Sequence, residues 1–161
     1  MNVLLLTLLL AFNAPPYTID GVPFVAQKTE YCGPASLSSV LAYYGEAADQ
    51  ETIGKSIHHP RLQGSLITDM EDYARKRGFH ARTGIGTVDE IRDLIRRDRP
   101  VIVLVDLGFW VASKPHYLVV YGFNEEGFLA HNGFEKAQWY RSGDFEKIWN
   151  RAGNSFLLIH P

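Results

Sequence analysis

The feature that most constrains this chain is a single cysteine at the predicted start of a helix. Cys32 is the only cysteine among 161 residues, and the apolar residues after it recur at helical spacing until Gly45. Pro34 fits such a helix only in its first turn, where its missing N–H costs nothing. Cys32 is therefore expected at a helix N-terminus, where free N–H groups and the helix dipole favour a lowered thiol pKa. This position predicts a nucleophile.

Composition indicates one globular domain and excludes several classes of function. The hydrophobic fraction of 46% and the charged fraction of 21% are ordinary for a folded protein of 161 residues. A formal net charge of −2, without a basic run, gives no reason to expect nucleic acid. One cysteine excludes an intramolecular disulfide framework and a cysteine zinc cluster.

The first residues are apolar and uncharged. Met1–Phe12 is too short to span a bilayer and has the pattern of the hydrophobic region of a secretion signal. A hydrophobic helix that packs on the domain is the alternative interpretation. Since Pro15-Pro16 breaks any helix, we assign 1–16 to a hydrophobic N-terminal segment and 17–161 to the folded domain.

Helices and strands follow with recognisable boundaries. The predicted elements of the middle of the chain are a helix over 49–57, a helix over 66–77, a strand over 79–83, a helix to 97 that starts with a Thr87–Glu90 capping box, and a strand buried on both sides over 101–106. The rest of the chain predicts strands over 116–123, 128–133 and 136–141, a helix capped by Ser142, and a last strand over 154–160. Helices first and an antiparallel sheet after them make an α+β domain.

A thiol nucleophile needs a base, a group that orients the base, and donors for the oxyanion. His116 begins a strand after an irregular segment, so its ring is expected at a sheet edge beside a cleft. Asn132 ends the neighbouring hairpin strand, where its side-chain amide is expected to accept from a ring nitrogen. Gln27 lies on the loop before Cys32, so its amide and the Cys32 N–H are candidates for the oxyanion site.

These motifs carry a resemblance to a known family. Gln27 followed by Cys32-Gly33-Pro34-Ala35, then His116-Tyr117-Leu118-Val119-Val120-Tyr121-Gly122, resembles the C39 family of papain-like cysteine peptidases over about Val22 to Ile159. The best-known members remove double-glycine leader peptides from bacteriocin precursors at an ABC exporter. The resemblance implies a papain-like cysteine peptidase fold, with Cys32 as nucleophile, His116 as base, Asn132 as orienting residue and Gln27 as oxyanion donor.

This sequence departs from the exporter-linked pattern at two positions. Tyr31 stands where those members usually have Asp before the cysteine. Asn132 stands where they usually have Asp as the third residue, and Asp144 is a weaker candidate for that role. We expect a stand-alone, exported relative, periplasmic, extracellular or membrane-tethered in a bacterium, with the N-terminal segment as its membrane contact and a separate exporter as a candidate partner.

The substrate groove is expected to be lined by aromatic residues, namely Tyr31, Phe109, Trp110 and Tyr117. Such walls predict a preference for Gly or Ala before the cleaved bond, although packing under the sheet is an equal alternative for these rings. His58, His59 and His131 have no spacing typical of a metal site and are interpreted as solvated loop histidines. No cofactor is expected.

The resulting hypothesis is a cysteine peptidase that acts on a peptide or protein substrate, with leader processing at small residues such as Gly-Gly. Two alternatives from other classes remain. One is a papain-like acyltransferase or transglutaminase that uses the same residues, and the other is an inactive module that binds peptides.

Overall fold

The computed structural model describes residues 15–161, so the predicted secretion signal lies outside the described residues. Its helices are α1 (Cys32–Tyr43), α2 (Gln50–Ile57), α3 (Ile67–Lys76), α4 (Val88–Arg96) and α5 (Ser142–Arg151). Its strands are β1 (Tyr17–Thr18), β2 (His58–His59), β3 (Gly64–Ser65), β4 (His80–Ile85), β5 (Val101–Asp106), β6 (Pro115–Phe123), β7 (Gly127–His131), β8 (Gln138–Arg141) and β9 (Ser155–His160).

The strands form one large antiparallel sheet. It has seven strands in the order β4-β9-β5-β6-β7-β8, with β1 paired to the end of β6, and β2 and β3 form a separate small hairpin. The predicted α+β architecture, with a helical half packed on an antiparallel sheet, is confirmed. The last strand in sequence, β9, is inserted between β4 and β5, so the C-terminal strand lies inside the sheet and not at its edge.

Helix α1 is the central helix of the domain. Its residues Gly33–Leu41 are buried, so it has no solvated face, and its polar side chains must find partners inside. Ser38 donates to the Ala48 carbonyl at 2.6 Å and Ser39 to the Pro23 carbonyl at 2.5 Å. Gly45 follows the helix with φ +84°, a left-handed conformation that suits glycine, so the predicted stop is confirmed.

Local capping chemistry explains two helix starts and corrects a third. Asp49 caps α2 by accepting from Thr52 N at 2.8 Å, and Thr87 caps α4 by accepting from Glu90 N at 3.2 Å. The Glu90 carboxylate accepts from Arg82 at 2.8 Å, so that side chain forms an ion pair instead of closing a capping box. The predicted Ser142 cap is wrong, because Ser142 is the first residue of α5.

The buried strand β5 and its neighbour β6 form the part of the sheet that packs against the helices beside the site. Val101, Ile102 and Val103 are fully buried, and since side chains alternate along a strand, both faces of the sheet are covered there, as predicted. Beside it, β6 packs against α1. This contact brings the first residue of α1 close to the first residues of β6, and therefore brings Cys32 near His116.

Candidate active site

One cavity joins the start of α1 to the start of β6. Its volume is about 710 Å³. Its walls come from the lead into α1, from the β2–β3 hairpin and from the segment 113–117, with Leu104 and Phe134 between them. Gln27, Cys32 and His116 all line this cavity. The structure thus brings three of the four predicted catalytic residues to one place.

Cys32 is the first residue of α1, and no side chain caps this end of the helix. Main-chain N–H groups of Tyr117, Gly33 and Cys32 itself face the thiol. Burial nevertheless raises the thiol pKa, and these N–H groups oppose the rise only in part. The sequence prediction of a lowered thiol pKa is therefore wrong for the free protein, because the prediction took account of the helix end and not of burial.

His116 is a buried residue at the start of β6. Its Nε2 lies 2.7 Å from the main-chain carbonyl of Asn132. A carbonyl oxygen can only accept, so Nε2 carries the proton and Nδ1 is left as the acceptor. Burial lowers the pKa of His116, and the nearby positive charge of Lys114 lowers it further. The hydrogen bond to the Asn132 carbonyl raises the pKa but does not cancel the effect of burial. The imidazole is consequently neutral near pH 7.

Asn132 differs from the prediction in how it reaches His116. Its side-chain oxygen accepts from Phe134 N at 2.9 Å and from Glu135 N at 2.7 Å. The side-chain oxygen is thus engaged in its own turn, and Nδ2 donates to the Tyr140 hydroxyl at 3.4 Å. Only the main-chain carbonyl bonds to the imidazole. Asp144, the weaker candidate for this role, is exposed in the first turn of α5.

Gln27 is tied to the same turn. Its main-chain N–H donates to the Gly133 carbonyl at 2.8 Å. Its side-chain oxygen is buried without a hydrogen-bond partner among the described residues and lies against Gly133. The amide nitrogen is on the other side of the amide group, and it is the donor that Gln27 has available for a cavity ligand.

The predicted substrate-binding residues have different outcomes. Tyr117 lines the cavity, and its hydroxyl donates to the Ser65 carbonyl at 3.0 Å. Tyr31 does not line it, since its ring packs over Gly54 and lies 5.2 Å from the ring of His58. Phe109 and Trp110 do not line it either, because they are 79% and 84% exposed on the loop before β6. Of the four predicted aromatic residues, only Tyr117 lines the cavity, and Phe134 is a second aromatic residue there that was not predicted.

Two residues that contribute to the site were not singled out from the sequence. Phe134 stacks on His116 with ring centroids 5.5 Å apart and an interplanar angle of 9°. Asp106, at the end of β5, accepts from Gly108 N at 2.7 Å and from Lys114 N at 2.8 Å, which holds the loop that leads to His116. A carboxylate that ends an apolar strand before a glycine is a signal that could have found Asp106; Phe134 offers no such signal.

The other histidines are distributed away from the cavity wall. His59 lies 2.5 Å from Asp69 and His58 lies 3.3 Å from Glu30, so both have carboxylate partners. His131 is buried: its Nε2 donates to the Val22 carbonyl at 3.0 Å and its Nδ1 accepts from Ala137 N at 3.1 Å. The interpretation of His131 as a solvated loop residue is wrong. Within residues 15–161, no group of three or more His, Cys, Asp or Glu could hold a metal ion.

A known protein family matches most of the chain. The model of the Peptidase_C39 like family matches residues 19–156. No curated protein sequence matches the chain.

Solved structures share the fold. The peptidase domain of Streptococcus ComA, a bi-functional ABC transporter of a quorum-sensing pathway, is 24% identical with a TM-score of 0.73, over 88% of this chain and 99% of that one. A double glycine motif protease from an AMS/PCAT transporter, solved with its leader peptide, is 20% identical with a TM-score of 0.73, over 92% and 99%. A protein of Bacillus anthracis described as a C39-like peptidase is 15% identical with a TM-score of 0.76, over 92% and 98%.

Proposed function

The chain belongs to the peptidase C39-like family, and from that premise we propose that it is a cysteine peptidase in which Cys32 attacks the carbonyl of a peptide bond. The observation that carries the proposal is the cavity that Gln27, Cys32 and His116 share. A nucleophile, a base and an amide donor around one cavity are the parts that acyl transfer to sulfur requires.

The proton transfers follow from the two neutral groups. In the free protein the thiol pKa is raised and the imidazole pKa is lowered, so Cys32 and His116 rest as thiol and imidazole. When a substrate binds, His116 Nδ1 takes the thiol proton as sulfur bonds to the carbonyl carbon. The imidazolium then gives that proton to the leaving amine, and water hydrolyses the thioester with His116 again as base.

The oxyanion formed in this attack needs donors at the start of α1. The Cys32 N–H and the side-chain amide of Gln27 are the donors that we assign to it. The unpaired N–H groups at the helix N-terminus add a favourable field for negative charge. Removal of one oxyanion donor typically costs ~10²–10³ in rate.

We propose a peptide substrate with small residues before the cleaved bond. The support is one structural relative, a double glycine motif protease that was solved with a leader peptide. The aromatic walls predicted from Phe109 and Trp110 do not support it, since these rings are outside the cavity. A preference for Gly-Gly is tested by a peptide library, in which favoured Arg, Lys or bulky aromatic residues at that position would refute it.

An exported location and a separate exporter partner are further parts of the proposal. They rest on the apolar segment Met1–Phe12 and on the ABC transporter context of the structural relatives. Among the helices of residues 15–161, none is long and apolar enough to cross a membrane.

A module that binds peptides without cleaving them is the second candidate. It is favoured by one observation, the raised pKa of the Cys32 thiol, because a protonated thiol is a poor nucleophile. A papain-like acyltransferase or transglutaminase would use the same residues with an amine in place of water.

One experiment separates these candidates. Peptide turnover is measured for the wild-type protein, Cys32→Ala and His116→Ala, with His80→Ala as the matched control because His80 is exposed on β4. A peptidase loses turnover in the first two variants and keeps it in the control, while a binding module shows affinity for the peptide without turnover in any protein. Product analysis with added amine separates hydrolysis from transfer.

A further inference from the structure

The turn Asn132–Glu135, between β7 and β8, contacts both His116 and Gln27. Its first main-chain carbonyl accepts from His116 Nε2 at 2.7 Å, and its second accepts from the main-chain N–H of Gln27 at 2.8 Å. Two adjacent peptide units thus touch the candidate base and the candidate oxyanion donor.

We propose that Asn132 and Gly133 are positioning residues, and that this single turn sets the ring orientation of His116 and the side-chain position of Gln27. The inference rests on the proposed function for its meaning in catalysis. Asn132 acts through its main-chain carbonyl, while its side chain keeps that carbonyl in place by accepting from Phe134 N and Glu135 N. This differs from an amide that contacts the imidazole itself.

Gly133 is required by two independent features of the backbone. Its φ of +80° is a left-handed conformation that strains any residue with a Cβ. A Cβ at this position would also overlap Oε1 of Gln27, which is buried and has no hydrogen-bond partner among the described residues. Gly133 therefore leaves room for the Gln27 side chain in its observed position, with the amide oxygen against the turn.

Side-chain replacements at Asn132 separate the two ways of orienting a histidine. Ser retains an acceptor that caps a turn more weakly than Asn does, but it is too short to contact the imidazole from this position. We expect Asn132→Asp to match the wild type, Asn132→Ser to keep part of the turnover, and Asn132→Ala to lose most of it. If the amide contacted the ring directly, Ser would be as defective as Ala.

The spectroscopic readout is the tautomer of His116, measured by nitrogen NMR of the imidazole. We expect Nε2–H in the wild type and Asn132→Asp, a mixture of tautomers in Asn132→Ala, and partial recovery of Nε2–H in Asn132→Ser. Lys114, the charged residue near the ring, is unchanged in every variant. Asn124→Ala is the matched control, because Asn124 makes the same kind of cap, on Glu126 N and Gly127 N, in the hairpin before β7.

A second pair of variants tests Gly133. Gly133→Ala is expected to lower kcat about 100-fold, since it displaces an oxyanion donor. It should leave the alkylation of Cys32 by iodoacetamide unchanged, because that displacement forms no oxyanion. The control is Gly78→Ala, where φ is +90° and nothing lies within 4 Å of the added Cβ. It introduces the same backbone strain without the contact to Gln27.

The outcomes distinguish this inference from the proposed function. Suppose first that the wild type turns over peptides. The inference is then refuted, and the peptidase stands, if Asn132→Ser and Asn132→Ala lose the same turnover and the same fraction of the Nε2–H tautomer. It is also refuted if Gly133→Ala keeps full turnover. If the wild type turns over no peptide, two measurements still decide the inference. One is the tautomer of His116 in the Asn132 variants. The other is the binding of a peptide aldehyde, because the thiohemiacetal that it forms with Cys32 also needs oxyanion donors. Weaker aldehyde binding by Gly133→Ala than by Gly78→Ala supports it, and equal binding refutes it.

Discussion

The resting protonation of Cys32 predicts how fast it reacts with an alkylating agent at each pH. Only the thiolate reacts appreciably, and the ordinary pKa of the thiol is 9.0. At pH 7 that value leaves about 1% thiolate, and burial of Cys32 lowers the fraction further because it raises the pKa. We therefore expect the alkylation rate to rise about tenfold for each pH unit from pH 6 to pH 9.

An ion pair between Cys32 and His116 would give a different profile. The thiolate would then already be fully formed below about pH 6, and the alkylation rate would be nearly constant between about pH 6 and pH 8. His116→Ala also separates the two cases. The variant should leave the slope unchanged if the pair rests neutral, whereas it should remove the plateau if the pair rests ionised.

The assay is alkylation with iodoacetamide, followed by mass spectrometry of the intact protein. Cys32 is the only cysteine, so a single mass increment reports on the site without a competing thiol. His80→Ala serves as the control for histidine removal, because His80 is exposed on β4. A rate plateau in the wild type that disappears in His116→Ala would refute the neutral pair and the proton transfers drawn from it.

Three further predictions follow from contacts at and around the site. Gln27→Ala should lower kcat by ~10²–10³ with an unchanged Tm. Gln63 also lines the cavity, and Gln63→Ala should change kcat little; equal effects of the two substitutions would argue against an oxyanion role for Gln27. The free energy of unfolding should fall as the pH drops below about 6.5, because burial lowers the pKa of His116 and His131 in the folded protein. The unfolded chain then binds more protons than the folded protein in that range, and each unit of pKa difference costs about 1.4 kcal/mol of stability. Denaturant titrations of the wild type and His131→Gln check this, and an identical acid slope in both would exclude His131 as a contributor. Asp106→Ala should lower Tm and reduce turnover together, since the carboxylate accepts from Gly108 N and Lys114 N and so holds the loop before His116. Turnover of this variant is measured well below its Tm, and a wild-type level would show that the loop does not position His116.

Sequence patterns predict most of the fold because each element carries its own local signal. The glycine after Tyr44, the Thr87 cap and the apolar run of β5 each have a local physical cause, and the structure has an element boundary or a buried strand at each. The motif order that resembles the C39 family also led to the expectation that Gln27, Cys32 and His116 lie together, and all three line one cavity.

Side-chain directions in loops are not predictable in the same way. Asn132 has a choice between the imidazole and the N–H groups of its own turn, and the local bonds win because they need no tertiary alignment. Trp110 has φ +57°, a conformation that sequence spacing does not indicate, and its ring points into solvent. The thiol pKa of Cys32 depends on burial, which only the packed structure reveals.

The contact between α1 and β6 limits which parts of such a protein can change during evolution. Cys32 and His116 are carried by these two elements, so their separation depends mainly on one helix–strand interface. Elements at the periphery, such as the edge strand β4, can accumulate substitutions or change length without altering that separation. A lineage built on this arrangement is free to remodel what surrounds the cleft while the proposed nucleophile and base keep their positions.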